Sequence, residues 1–175
     1  MKDKLKVIRK GGRVERFHTI PTTGNKQTVA THSWGVASLM IELFPKDAEN
    51  LELLKACLYH DVAECLVGDV PAPTKWRFKQ MAELHLEAEQ KILKETGFEW
   101  TLSYRENYLL KIVDMLELLF YTVEQKQMGN TYFNKVFSNS IDYLSGRICA
   151  HGGQLSEEEE TMLRKILKDM TEKCG

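Results

Sequence analysis

Between residues 104 and 127 the sequence reads YRENYLLKIVDMLELLFYTVEQKQ, the longest apolar-periodic run in the chain. Apolar residues recur every three to four positions across it, which predicts a long helix at the centre of a core. Nowhere does the chain sustain the period-two alternation of a half-buried strand, and it has no Asn-Gly hairpin signal. A helical fold follows.

The remaining segments agree. THSWGVASLMIELF puts Val36, Met40 and Leu43 on one face and stops at Pro45. AENLELLKACLYHDVAECLVG repeats the rhythm with Leu51, Leu54, Cys57, Leu58 and Val62, and Gly68 ends it. From about Arg77 to Thr96 the chain is charged and amphipathic, with Met81, Leu84, Ala88, Ile92 and Leu93 expected to face inward and Gly97 as terminator. Two more helices are expected over 131–150 and 156–173, the latter opened by Ser156 and a run of acids. Before residue 28, Gly-Gly, Ile-Pro and Gly-Asn punctuation predicts an ordered arm or loop in place of a long helix. The expected fold is all-α: one domain over residues 1–175, a bundle of about six helices, with residues 1–27 as an arm.

Composition narrows the function. A net charge of −1 offers no general basic field for a long polyanion, so a nucleic-acid strand is not the expected partner, whereas a small anion held by local cations remains open. No apolar run approaches the roughly 20 residues that cross a bilayer, so no membrane partner is expected. The four cysteines form no C-x-x-C pair, and Cys57 and Cys65 read as core filler. The expected setting is cytoplasmic.

Chemistry concentrates in LYHDVAECLVGDVPAPTKW, residues 58–76, and in Asp114. An ionised carboxylate among Ile112, Val113, Met115 and Leu116 requires water, a cation or hydrogen-bond donors. His32, the adjacent His60 and Asp61, and Asp114 lie on three different predicted helices. Two imidazoles and two carboxylates suit a divalent ion such as Zn²⁺, Mn²⁺, Co²⁺ or Fe²⁺.

His32, His60-Asp61 and Asp114 resemble the H…HD…D signature of HD-domain metal-dependent phosphohydrolases, an all-helical family. The stretches RVERFHTIP, QTVATHSWGVA, LYHDVAECLVGDVPAPTKW and KIVDMLE are similar over about the first 120 residues to its 5'-deoxynucleotidase-like branch, and close to the short bacteriophage dATP triphosphohydrolases. The resemblance implies His32, His60, Asp61 and Asp114 as ligands of one divalent transition metal (Zn, Co or Mn), with additional Mg²⁺ accompanying a triphosphate. It implies Glu64 as general acid/base or positioner of the nucleophile, and Asp69, in the GDVP turn, as an orienter of water or sugar. Lys75 and Lys111 would meet phosphates, Arg16 likewise, while Phe17 covers the base and Ile20 lines its pocket. The branch often has Trp where Phe17 stands and usually Glu where Thr31 stands; the latter change removes a contact behind the ligand set. Small enzymes of this branch are commonly homo-oligomers.

The implied activity is hydrolysis of a deoxynucleoside triphosphate, dATP first, to deoxynucleoside and triphosphate. The alternative is a 5'-deoxynucleotidase that releases phosphate from deoxynucleoside monophosphates. A non-catalytic nucleotide-binding protein would be expected to lose Glu64 or a ligand, and none is missing. His18, His85 and His151 do not suit a second metal set, and His85 is expected to be a solvated surface residue.

Overall fold

Asp3 in the first turn and Arg9 and Lys10 in the last complement the dipole of a ten-residue helix, α1 (Lys2–Gly11), in the computed structural model. It describes residues 2–174, and the side chains of all of these except Lys2, Ala72, Pro73 and Trp76. The expected arm therefore begins with a helix. Its high charge conceals one apolar anchor, Val7, which is buried with Val62 and Phe98 in a small cluster of its own. Gly11 is required where the helix ends, because a Cβ there would lie 2.8 Å from the Cα of Val62.

The chain then makes a loop closed on itself. Arg16 N–H donates to Gln27 C=O at 2.9 Å and Val29 N–H to Val14 C=O at 2.9 Å, around one bridge between Glu15 and Thr28. Side chains from the far end of the bundle fasten this loop. Gln125 accepts from Thr23 N–H at 2.8 Å and donates to Thr23 C=O at 3.0 Å, and Asn130 donates to Pro21 C=O at 2.9 Å.

Thr28 and Thr31 cap each other reciprocally to start α2 (Val29–Leu43). A 3₁₀ turn, Asp47–Glu49, leads to α3 (Leu51–Tyr59), capped by the Asn50 side chain. The expected helix through Gly68 is broken here: residues 60–63 form a turn, and α4 (Glu64–Val67) resumes after it. Its phase also differs from expectation. Leu53, Ala56 and Cys57 face the core, whereas Leu51 and Leu58 are exposed.

After α5 (Ala72–Arg77) comes α6 (Lys79–Glu95), and this helix contradicts the sequence reading most clearly. Met81 and Leu84, expected inside, are 48% and 65% exposed, and the helix has no buried residue. It packs chiefly on the short α4 and α5, and Leu93 near its C-terminal end reaches the Val7, Val62 and Phe98 cluster; Ala88, Ile92 and Leu93 are half-buried as expected, whereas Met81 and Leu84 stay exposed.

The capping box of Ser103 and Glu106 starts α7 (Tyr104–Gln127), the expected central helix. A 3₁₀ turn, Thr131–Phe133, precedes α8 (Asn134–Cys149), and α9 (Glu157–Cys174) closes the chain. Helices α2, α3, α8 and α9 surround α7 and bury Val36, Met40, Phe44, Leu53, Leu109, Ile112, Leu116, Leu144, Ile148 and Leu163 against it. Arg105 ties the outer ends together, bidentate to Asp47 at 2.8–2.9 Å and bonded to Glu159 at 2.7 Å. No strand occurs among the described residues, and no described helix is long and apolar enough to cross a membrane. The all-helical expectation holds, its six helices reappearing as α2, α3 with α4, α6, α7, α8 and α9. Cys57 is buried, and burial first of all pushes its thiol up to about 12, consistent with core filling.

Candidate metal centre and its surroundings

The break after α3 has a local cause with consequences for chemistry. The His60 ring turns back on its own helix, Nδ1 donating to the carbonyls of Ala56 at 3.2 Å and Cys57 at 3.1 Å. The next turn tightens, with Glu64 N–H donating to Asp61 C=O at 3.1 Å. The other ring nitrogen of His60, Nε2, is left buried without a hydrogen-bond partner. Among its neighbours are Asp61 Oδ1 at 3.4 Å and Asp114 Oδ1 at 3.9 Å.

His32, on the first turn of α2, is wholly buried and brings its Nε2 to the same place. That nitrogen lies 3.1 Å from Asp114 Oδ1 and 3.7 Å from Asp61 Oδ2. Donor atoms of His32, His60 and Asp61 all fall within 4.8 Å of one another. The four residues singled out by pattern therefore converge from α2, the turn after α3, and α7.

Each carboxylate is also held from outside by a cation. Arg16 Nη1 donates to Asp61 Oδ2 at 2.7 Å, and Lys111 Nζ to Asp114 Oδ2 at 2.8 Å. Burial works to raise the Asp114 carboxyl, but Lys111 and the two histidines outweigh it and hold it well below its usual range. Asp61 follows the same pattern, lowered by His60, Arg16 and His32 against burial. Burial and Arg16 press the His32 imidazole down, and its bonds to Asp114 and Glu117 prevail and raise it.

The donor set fits a divalent ion. An orphaned buried imidazole nitrogen, a second imidazole beside it and two ionised carboxylates present lone pairs to one small volume, an arrangement that protons or a cation must compensate. Nitrogen and oxygen donors together favour a borderline ion such as Zn²⁺ or Co²⁺.

Glu64 opens α4 beside this cluster. Because the helix is interrupted, its proximity to Asp61 comes from the tight turn, not from the helical spacing expected. The side chain is 6% exposed and Oε2 has no partner. Burial first, then Asp61 and Asp69, push its carboxyl up to about 8, with Arg16 opposing and Glu89 adding to the rise. Gly68, with φ 78° and ψ 159°, then turns the chain so that Asp69 follows. His18 of the arm stands 3.5 Å from Asp69 Oδ2.

Two residues that pattern did not single out support this turn. His85, expected in solvent, has a side chain only 9% exposed; its Nε2 donates to Gly68 C=O at 3.0 Å while Nδ1 lies 3.2 Å from Glu89. The Glu89 carboxyl is raised by burial, against the pull of Lys75 and His85. Lys75 on α5 thus sits within the field of Glu89, near the site.

The substrate-side expectations divide. Arg16 and Lys111 are at the cluster, each engaged with a carboxylate. Phe17, at φ 55°, stacks its ring on Tyr121 with centroids 5.2 Å apart, beside Phe133 at 5.2 Å. Ile20 closes the same turn, its N–H donating to Phe17 C=O at 3.0 Å. Thr31 is committed to the α2 cap, so the ring nitrogen of His32 that faces away from the cluster, Nδ1, bonds Glu117 of α7. Glu117 in turn accepts from Gln27 Nε2 at 2.7 Å. A signal for Glu117 was available, since the reasoning applied to Asp114 holds equally for an acid three residues later on the same apolar helix.

An all-helical fold with two histidines, an adjacent aspartate and a distant aspartate around one point defines a class. The HD domain family matches residues 13–152, and the chain belongs to that family. A dATP triphosphohydrolase from Salmonella phage PMBT28 is 36% identical over 73 residues, a match that spans 35% of this chain and 37% of that relative's length. Among solved structures, the HD phosphohydrolase DatZ of cyanophage S-2L, bound to dA and one catalytic Zn²⁺ ion, superposes with a TM-score of 0.73 at 18% identity, covering 95% of this chain and 96% of that one. The PH0347 protein of Pyrococcus horikoshii OT3 superposes with a TM-score of 0.67 at 19% identity over 99% of both chains. At these identities the two structural likenesses bear on the fold alone.

Proposed function

We propose that the protein is a metal-dependent phosphohydrolase acting on deoxynucleoside 5'-triphosphates, dATP first, to give deoxynucleoside and triphosphate. The observation that carries the reading is the buried, unpartnered Nε2 of His60 among His32, Asp61 and Asp114. The phage relative named for dATP triphosphohydrolysis supports the choice of substrate.

His32, His60, Asp61 and Asp114 would hold the ion. A divalent transition ion there supplies Lewis acidity, favouring hydroxide over water and neutralising charge on a phosphoryl oxygen. Glu64, with a carboxyl raised to about 8, can hold or release a proton near neutral pH. In the proposed reaction water oxygen bonds to the α-phosphorus, the bond from that phosphorus to O5' breaks, and O5' leaves with a proton. Glu64 takes the proton from water and returns it to O5'; Asp69 orients the attacking water or the sugar. Lys75, Lys111 and Arg16 place positive charge beside the phosphate chain. Phe17, with Tyr121 behind it, offers an aromatic surface to the base.

Incubation with each deoxynucleotide as mono- and triphosphate, in Mn²⁺, Co²⁺ or Zn²⁺, tests the reading by the anion released. Triphosphate from dATP is expected. Orthophosphate from monophosphates alone would replace it with the 5'-deoxynucleotidase reading, and no release from any substrate would overturn both.

A further inference from the structure

His32 can face an ion through Nε2 only if its proton resides on Nδ1 and that nitrogen has an acceptor. For His60 the acceptors are neutral backbone carbonyls. For His32 the acceptor is the Glu117 carboxylate, which approaches from a different helix. The two imidazoles are therefore unequal, since an anionic acceptor makes the opposite nitrogen the better electron donor.

Glu117 has little freedom to do otherwise. Its Oε1 accepts from Gln27 Nε2 at 2.7 Å, and Gln27 is itself buried at the end of the arm loop. Its stem lies over Gly35, where a Cβ would come within 2.7 Å of Cγ and 3.0 Å of Oε1. Gly35 stands one turn after His32 on α2, so a missing side chain on the ligand's own helix makes the slot. Thr31, next to His32, spends its hydroxyl on the Thr28 cap and supplies no contact to the ring.

We propose that Glu117, steadied by Gln27 and admitted by Gly35, is a positioning residue that fixes the tautomer and orientation of His32 at the metal centre. The inference rests on the reading of His32 as a metal ligand. One helix, α7, then delivers both a ligand, Asp114, and the group that aims a ligand of another helix.

Metal-free wild type, E117Q and G35A, checked for folding by circular dichroism, would be titrated with Co²⁺ and Zn²⁺, following affinity and the visible Co²⁺ spectrum. Both variants should bind roughly 10–100-fold more weakly, with an altered Co²⁺ band. G35A changes no polar group, so its loss would report displacement of Glu117. Unchanged affinity and spectrum in the folded variants overturn the inference while leaving the metal site intact. A wild type that binds neither ion overturns the metal reading as well. A measurement on wild type alone guards against variants that fail to fold. Nitrogen-15 spectra of histidine-labelled, Zn²⁺-loaded protein should place the His32 proton on Nδ1, and a proton on Nε2 would overturn the proposal.

Discussion

Glu64 is a buried carboxyl that binds its proton more tightly in the folded chain than the ordinary value of 4.5 allows, its own lying at about 8. Between these two values folding takes up a proton, so this residue makes metal-free protein less stable as pH rises. Thermal melts of metal-free wild type and E64Q should therefore diverge from about pH 5 to pH 8, the wild type losing on the order of a few kcal/mol relative to the variant. Parallel curves would show that Glu64 is ionised throughout. Asp61 is the opposite case, an acid kept charged by His60, Arg16 and His32. Asp61→Asn retains an oxygen for Arg16 but loses the charge. It should abolish Co²⁺ binding and hydrolysis, while the circular dichroism of α2, α3 and α7 persists; turnover in the metal-supplemented variant would refute the assignment.

The turn between α4 and α5 shows how backbone geometry places a side chain. Gly68 occupies a conformation that residues with a Cβ avoid, and nothing lies within 4 Å of where that Cβ would be. G68A should thus cost about 1–3 kcal/mol through backbone strain alone, with no clash. If Asp69 acts on substrate, kcat should fall with it; a variant with unchanged stability and kcat would show that the turn relaxes freely. Such local geometry marks the limit of what pattern reading sees. The 3.6 period located six helices, five of which bury a face in the core while α6 is amphipathic and only half-buried, and the H…HD…D order marked four residues that do converge. The phase of α3 was misread because Leu51 and Leu58 are as apolar as the residues that turn inward. The break at residues 60–63 escaped because its cause, a ring bonding back to Ala56 and Cys57, depends on side-chain direction. α1 was hidden by its high charge and the glycines that follow it, and its anchor, Val7, finds its partners Val62 and Phe98 far away in sequence. In α7 a polar stripe is legible in the spacing: Asp114, Glu117, Tyr121 and Gln125, three or four apart, meet Lys111 and His32, Gln27, Phe17 and Thr23 in turn. His85 gave no such signal, because its partner Gly68 lies on the turn after α4, and Glu89 acts there only through His85.

Across the whole molecule, the proposed ligands sit at positions 32, 60, 61 and 114, so an ion would join segments far apart in sequence. Those segments already pack through α2, α3 and α7, and the arm reaches the same point through Arg16 and Gln27. The unfolded chain cannot assemble such a set, and metal binding therefore adds directly to folding stability. At an ion concentration one hundred times the dissociation constant the gain is about 2.7 kcal/mol. For a chain of this size it corresponds to a rise in melting temperature of roughly 5–11 °C. Differential scanning calorimetry of chelator-treated protein, repeated with increasing Co²⁺, should show the rise in wild type and its absence in Asp61→Asn. The shift should also shrink in E117Q, because weaker binding enters the same linkage. Equal melting temperatures with and without ion, at concentrations where titration shows binding, would mean that the ion joins groups the unfolded chain can bring together as well, and the cross-linking role would fall.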